Sequence, residues 1–274
     1  MKQSPFKALV LGIGLLTGMV GIVQAAEGTK PAKDIEFSFD GAFGRYDQAQ
    51  LKRGWQIYSE VCSACHSLKF VSYRNLVDEF GPGFSEAEVK AIAAEQEVTN
   101  EDPNSDGEYF QRPAIASDRV VSPFPNNEAA AVANGGAVPP DLSLMTKARK
   151  GWHGTFNILI NGFGGTDYVY SLLTGYEELP AHEEAKEGLS YNPYFPGHWI
   201  AMAPPLSDDA VEYKDGTKAT TDQMARDVAA FLTWTAEPHM TRHKIFGIKA
   251  MILLSILALL TYMSYLVVWR KVKH

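Results

Sequence analysis

The sequence predicts an all-α body with enlarged loops, followed by one C-terminal transmembrane helix. Three observations carry this reading. Apolar residues recur at helical spacing in "YDQAQLKRGWQIYSEVCSACH", "EAEVKAIAAEQ" and "TTDQMARDVAAFLTWTAEP". Alternating strand patterns are nearly missing. One run of 20 residues, "AMILLSILALLTYMSYLVVW", carries no charge.

The N-terminus comes first along the chain. Lys2 and Lys7 precede the apolar run "ALVLGIGLLTGMVGIV", and "QAA" follows it. A basic start, an apolar centre and small residues at the cut describe a secretory signal peptide. Val23 and Ala25 suit the positions before cleavage, so residues 1–25 are expected to be removed. As a retained anchor the run would be short, at about 24 Å against roughly 30 Å of hydrocarbon. It also holds Gly12, Gly14, Gly18 and Gly21.

In the first helical segment, Leu51, Trp55, Tyr58 and Cys62 share one face. "EAEVKAIAAEQ" is a second helix, and a third runs from about Thr221 to Ala236. Between them lie Pro-, Gly- and Asn-rich stretches such as "EDPNSDGEYFQRP", "NGGAVPPD" and "NPYFPGHW". Residues 237–249 read as a short tether. Residues 250–269 are one bilayer crossing, about 30 Å long. Trp269, Arg270, Lys271 and Lys273 suit an aromatic and basic inner boundary. Basic residues flank the other end too, so the export signal sets the orientation: body outside, residues 270–274 inside. The net charge of −7 argues against nucleic acid as a partner.

"CSACH", residues 62–66, contains the only two cysteines of the chain. In an oxidising compartment two thiols suggest a disulfide, but a loop this small adds little stability by closure. Zinc needs about four ligands; there is no second cysteine pair, and the other histidines show no paired ligand spacing. C-x-x-C-H is the attachment signature of c-type haem. Two thiols add to the two vinyl groups on one porphyrin edge, which swings the next residue, His66, beneath the iron. A covalent haem also accounts for so much loop, because the ring serves as core. The body is therefore expected to be one all-α, cytochrome c-like haem domain, residues 26–236.

Haem iron then takes a sixth ligand or stays open. Methionine opposite histidine raises the potential and suits electron transfer. Met145, Met202 and Met224 are the candidates outside the leader and the membrane segment. Met224 shares a helical face with Val228, Phe231 and Leu232, so it belongs to the core; Met145, near the start of a short helix, is expected to pack as well. Met202 lies in "PGHWIAMAPPLSDD", where flanking prolines prevent regular structure. An ordered loop holds a weak thioether well, so Met202 is the expected ligand, with His198 as its rival.

The segments "CSACHSLKFVSYRNL", "NGGAVPPDLS", "DYVYSLLTGY", "NPYFPGHWIAMAPPL" and "ARDVAAFLTWTAEP", with the C-terminal anchor, resemble the cytochrome c1 family. The likeness covers essentially the whole mature chain. It implies a haem subunit of the ubiquinol–cytochrome c oxidoreductase complex, in an inner membrane of bacterial type with the haem domain in the periplasm. It implies one haem c bound through Cys62 and Cys65, with His66 and Met202 as axial ligands and no bond-making catalysis. It implies cytochrome b and a Rieske iron–sulfur protein as partners, and a soluble cytochrome c as acceptor. Two departures stand out. Where relatives carry an Arg before and a Tyr after "PPDLS", near the haem propionates, this chain has Ala131 and Leu144; Arg112 and Arg149 are the substitutes at hand. The stretch Gly151–Gly165 resembles an insertion, and its alternating apolar residues suggest packing on the body or on a neighbouring subunit.

Two acidic groups are candidate docking surfaces: Glu95–Glu108, with six acidic residues and no basic one, and Glu177, Glu178, Glu183, Glu184 and Glu187. Ser255, Ala258, Thr261 and Ser264 recur at steps of three along the anchor, a spacing that lets helices approach. Two other functional classes stand beside this one. An independent membrane-tethered shuttle would need only a small haem domain on a flexible tether. A haem enzyme would need an open iron position.

Overall fold

The computed structural model describes residues 29–149, 164–181 and 183–271. The leader and most of the apolar insertion, residues 151–163, lie outside the described residues, as do His153, His182 and His274. Among the described residues seven α-helices follow in chain order: α1 (Gln48–Glu60), α2 (Glu86–Ala94), α3 (Asn127–Ala133), α4 (Met145–Ala148), α5 (Gly164–Leu173), α6 (Thr221–Ala236) and α7 (Met240–Trp269). Among the described residues the strands are minor: β1 (Glu97–Thr99) pairs antiparallel with β2 (Gln111–Pro113), and β3 (Ser190–Tyr191) with β4 (Trp199–Ile200).

The core is built on α1 against α6. Each helix starts on a side-chain cap: Asp47 accepts from the Ala49 and Gln50 N–H groups, and Thr220 from that of Gln223. The helices meet at Gly54, where an added Cβ would lie 2.2 Å from the Asp227 carbonyl oxygen. Any larger residue would force the pair apart. Around this contact Trp55, Tyr58, Phe231 and Trp234 form a continuous aromatic cluster, with centroids 5.8 Å apart for Trp55–Phe231 and 5.6 Å for Phe231–Trp234. Rings buried this deeply contribute about 1.5–3 kcal/mol each. Met224 is fully buried here, as its helical phase requires, and Met145 packs against the same cluster.

One buried charge crosses the interface. Asp227 is inaccessible and is bonded by Arg53 Nε at 2.8 Å, Tyr213 Oη at 2.9 Å and Gln223 Nε2 at 2.9 Å. Arg53 reaches on to Asp215 at 2.8 Å. Removing one partner of such a pair strands a charge in a dry interface, which costs roughly 3–5 kcal/mol.

Two sequence expectations need correction. Helix α1 stops at Glu60, so Cys62 is not on its face; it opens a separate 3-10 turn, Cys62–Ala64. The supposed tether is not a linker either. Helix α7 starts at Met240 and runs unbroken for 30 residues, about 45 Å. Its first turn is docked: Met240 and Thr241 are buried, Thr241 Oγ1 accepts from the Tyr46 N–H at 3.3 Å, and Tyr46 Oη donates to the Glu237 carbonyl at 3.1 Å. Beyond residue 250 every side chain to Lys271 is exposed, as a single membrane-crossing helix demands. The hydroxyls of Ser255, Thr261 and Ser264 bond to carbonyls of their own helix.

An N-terminal strap ties the remaining pieces together. Lys30 N–H donates to the Pro193 carbonyl at 2.9 Å, Lys33 N–H to Ser171 Oγ at 2.8 Å and Ile35 N–H to Asp167 Oδ1 at 3.2 Å. Burial pushes the Asp167 carboxyl up to about 7; the Ile35 bond opposes this, while Asp34 and Asp40 add to it. The unfolded chain releases this proton near pH 4. Between about pH 4 and 7 the folded state holds more protons, so stability falls as pH rises and levels off above about 7. Asp167→Asn keeps an acceptor for Ile35 and removes that slope. Thermal melts of the variant are expected above those of the parent at pH 8, with the gap closing toward pH 4.

Candidate haem-attachment site

The pentad is presented by the end of α1. After Glu60 the backbone tightens: Cys65 N–H and His66 N–H both donate to the Cys62 carbonyl, at 3.1 and 2.9 Å. Tyr58 Oη, on the buried face of α1, donates to the His66 carbonyl at 2.9 Å and fixes the far side of the turn. Both cysteines are free thiols, Cys62 half-buried and Cys65 exposed. Burial, reinforced by the nearby Cys65, pushes the Cys62 thiol up to about 12. It is held as a neutral thiol at pH 7. Among the described residues no three His, Cys, Asp or Glu side chains gather as a metal cluster. His239 and His243, not read as a pair from sequence, do stand one helical turn apart, with ring centroids 6.0 Å from each other.

His66 is oriented from across the site. Its Nδ1 lies 2.8 Å from the Pro140 carbonyl. That contact assigns the proton to Nδ1 and leaves the Nε2 lone pair available to a metal, the usual way a second contact sets a histidine's tautomer. Burial lowers the ring's pKa, only partly opposed by this bond, so the imidazole is neutral as a ligand must be. The Pro139–Ser143 loop is locked to the pentad through Asp141, whose carboxylate accepts from Ser67 Oγ and Lys69 N–H, each at 2.8 Å, and from Ser143 N–H at 3.0 Å. Burial alone would raise the Asp141 pKa, but these bonds bring it below the ordinary carboxylate range.

A cavity of about 200 Å³ opens beside Cys65, lined by Phe124, Ala130, Val138, Pro139 and Pro140. The residues thus fit a covalently held porphyrin: two unbonded thiols on one turn, a neutral imidazole with one nitrogen pinned, and a mixed wall alongside in which Phe124, Val138 and the two prolines meet Ser67, Asn127 and Asp141. A separate cleft of about 500 Å³ lies elsewhere, lined by Lys52, Trp55, Gln56, Ser59, Phe84 and Lys214 among others; neither cysteine lines it.

Met202 is carried by a different element. It follows β4 by two residues, in irregular backbone, half-buried. Tyr176 Oη donates to its carbonyl at 3.0 Å, and Asn192 Nδ2 ties the hairpin to the end of α5 through the Leu172 carbonyl at 2.8 Å. His198, the rival ligand, sits in the hairpin turn with φ of 65° and its ring 5.8 Å from that of Tyr191.

The cationic candidates separate clearly. Arg112 is neutralised by a two-pronged bond to Asp118, at 2.7 and 3.0 Å. Arg149 instead meets the hydroxyl of Tyr168 on α5; burial raises that phenol's pKa and Arg149 opposes the rise. Tyr168 was missed from sequence, although it stands in "DYVYSLLTGY"; nothing in its spacing ties it to Arg149 without the fold. Ala131 lies half-buried on α3 and Leu144 is exposed at the cap of α4.

Comparison with known proteins bears directly on this geometry. Residues 37–272 match the family model described as the Cytochrome C1 family. The chain is 43% identical to cytochrome c1 of Rhodospirillum rubrum over 98% of both chains. It is 46% identical to the mitochondrial protein named "Cytochrome c1 2, heme protein" of Arabidopsis thaliana, covering 93% of this chain and 79% of that one. It is 43% identical to "Cytochrome b/c1" of Bradyrhizobium diazoefficiens, covering 96% of this chain but only 39% of that longer protein. The pentad on its 3-10 turn, the single apolar C-terminal helix and these matches lead to one statement: the chain belongs to the cytochrome c1 family.

Proposed function

We propose that this chain is the electron-transfer subunit of a ubiquinol–cytochrome c oxidoreductase, anchored by α7 with its body in the periplasm. It carries one haem c, bound through Cys62 and Cys65, with His66 and Met202 as the axial ligands. It takes an electron from a Rieske iron–sulfur protein and delivers it to a soluble cytochrome c. What carries this reading is the His66 ring, neutral and pinned through Nδ1 by the Pro140 carbonyl at the exit of a C-x-x-C turn. A cytochrome b partner is supported by the fused b/c1 relative.

When bound, the haem supplies a one-electron iron couple whose potential a thioether ligand raises. The chain's own task is to hold and tune. The Tyr58 and Pro140 bonds fix the imidazole, and the Tyr176 bond steadies the backbone that offers Met202. Arg149 with Tyr168 is the polar pair that suits a haem propionate, and Arg112, spent on Asp118, drops out of that role.

The β1–β2 hairpin supports the docking assignment. All six carboxylates of Glu95–Glu108 are exposed, and the adjacent Arg112 is already paired. The second acidic group is weaker, since Glu177 is paired to Lys30 at 3.1 Å. A surface of one sign raises the encounter rate with a basic carrier. The docked first turn of α7 disfavours a freely tethered shuttle.

Two measurements test this. Met202→Leu should lower the reduction potential and open the reduced iron to carbon monoxide, while the parent stays inert to the gas; an unchanged spectrum and potential would remove Met202 as ligand. The rate of electron delivery to a basic cytochrome c should fall steeply with salt, because the Debye length is only about 8 Å at physiological strength. Replacing Glu101, Asp102, Asp106 and Glu108 by their amides should flatten that dependence. A rate indifferent to both would end the docking role of the hairpin.

A further inference from the structure

Two aromatic rings that the body does not cover belong to the region where the chain enters its membrane helix: Phe43, 78% exposed, and Phe246, 70% exposed. Phe43 sits on a tight turn. Asp40 N–H donates to the Phe37 carbonyl at 3.0 Å, Asp40 Oδ2 accepts from Phe37 N–H at 2.7 Å, and Arg45 N–H closes on the Ser38 carbonyl at 2.9 Å. A Cβ on Gly44 would fall 2.0 Å from the Asp40 carbonyl oxygen, so only glycine permits this fold of the turn. The ring is thereby held out from the body by a rigid backbone.

The turn is fixed to α7. Lys244 Nζ donates to the Phe39 carbonyl, and Tyr46 N–H to Thr241 Oγ1 at 3.3 Å. The uncharged run begins at Ala250. Lys244 is six residues above it, about 9 Å along the helix, and Phe246 about 6 Å. Interfacial segments bury their apolar side chains about 5–10 Å into the headgroup boundary. Headgroups add about 5–7 Å beyond the hydrocarbon on each side, so Phe246 lies within that layer and the Lys244 contact of the turn stands at its outer edge. The charges nearby suit that surface as well. Arg45 and Lys249 are exposed, and α7 contains no acidic residue. Of the carboxylates nearby, Asp40 faces Lys244 and Asp47 caps α1, while Asp34 and Glu36, on the chain leading into the turn, are exposed and act on Asp40.

We propose that residues 40–45 form an interfacial anchor: Phe43 and Phe246 enter the headgroup–acyl boundary of the outer leaflet, and Arg45 and Lys249 engage anionic lipid headgroups. The occupant is lipid rather than protein because the surface is continuous with the membrane span itself. The proposal rests on α7 crossing the bilayer, and its test separates the two. In the full, haem-loaded chain both native thiols are consumed, so single cysteines can be spin-labelled: Phe43→Cys, Val132→Cys as a water-exposed reference, and Leu257→Cys within the span. Each is reconstituted alone in nanodiscs, and collisions with oxygen and with an aqueous nickel chelate are compared.

The Leu257→Cys label should meet oxygen and not the chelate; failure there would overturn the membrane span. The Phe43→Cys label should give an oxygen-to-chelate ratio several-fold above that of Val132→Cys, rising again when anionic lipid replaces neutral lipid. A ratio equal to that of Val132→Cys, with Leu257→Cys behaving as expected, would overturn the anchor alone. So would a label that is wet in the isolated chain and loses contact with both agents only in the assembled complex, since a partner subunit would then cover the turn. Equal ratios in the two lipids would remove Arg45 and Lys249 from the assignment.

Discussion

The contact of α1 with α6 is the constraint on which the rest depends. Gly54 lets the two backbones touch, and the ion pair of Arg53 with the inaccessible Asp227 fixes their register. An aromatic cluster fills the space on either side. Such a pair contributes little net stability compared with an apolar equivalent. Its value is positional: a slip of one residue would strand the charge. Because α1 ends directly at the cysteines, that register also decides where the pentad emerges. Helix α6 ends three residues before α7 begins, so the same contact sets where the membrane helix starts.

Around this pair the site is held by many modest bonds, mostly to backbone. Tyr58 grips the His66 carbonyl, Pro140 grips the His66 ring, and Asp141 grips the Ser67 hydroxyl and the Lys69 backbone that follow it. A bound porphyrin would serve as part of the core for these loops, so they need such clips; few of them bury enough apolar surface to order themselves. The strap of residues 29–37 acts likewise on the other wall, linking α5 to the hairpin that ends at Met202.

Much of this was legible in the sequence, for stated reasons. The bounds of α6 could be read from its apolar stripe and the proline that follows it, and its buried face includes Met224. The single uncharged run located the membrane segment, and the prolines around Met202 excluded a helix there, leaving only the two-residue edge strand β4 before it. Other features stayed hidden because they depend on distance in space. The periodicity that carried α1 through to Cys62 is real, but the 3-10 turn overrides it once Tyr58 and Cys62 bond their neighbours. The pairing of Arg149 with Tyr168 joins residues on separate helices, and that of Arg112 with Asp118 is as easily a surface accident in a string of letters. The apparent tether was misjudged because its Arg, His and Lys residues look solvent-bound, whereas Thr241 and Lys244 face the body.

The seam between α6 and α7 has one more consequence. Three residues, one of them proline, separate the helices, and both sides of the seam are bonded to the 37–46 segment. The body therefore has no swivel. On the function proposed above, a haem domain mounted this way turns together with the helix that carries it, as a lamp turns with its post.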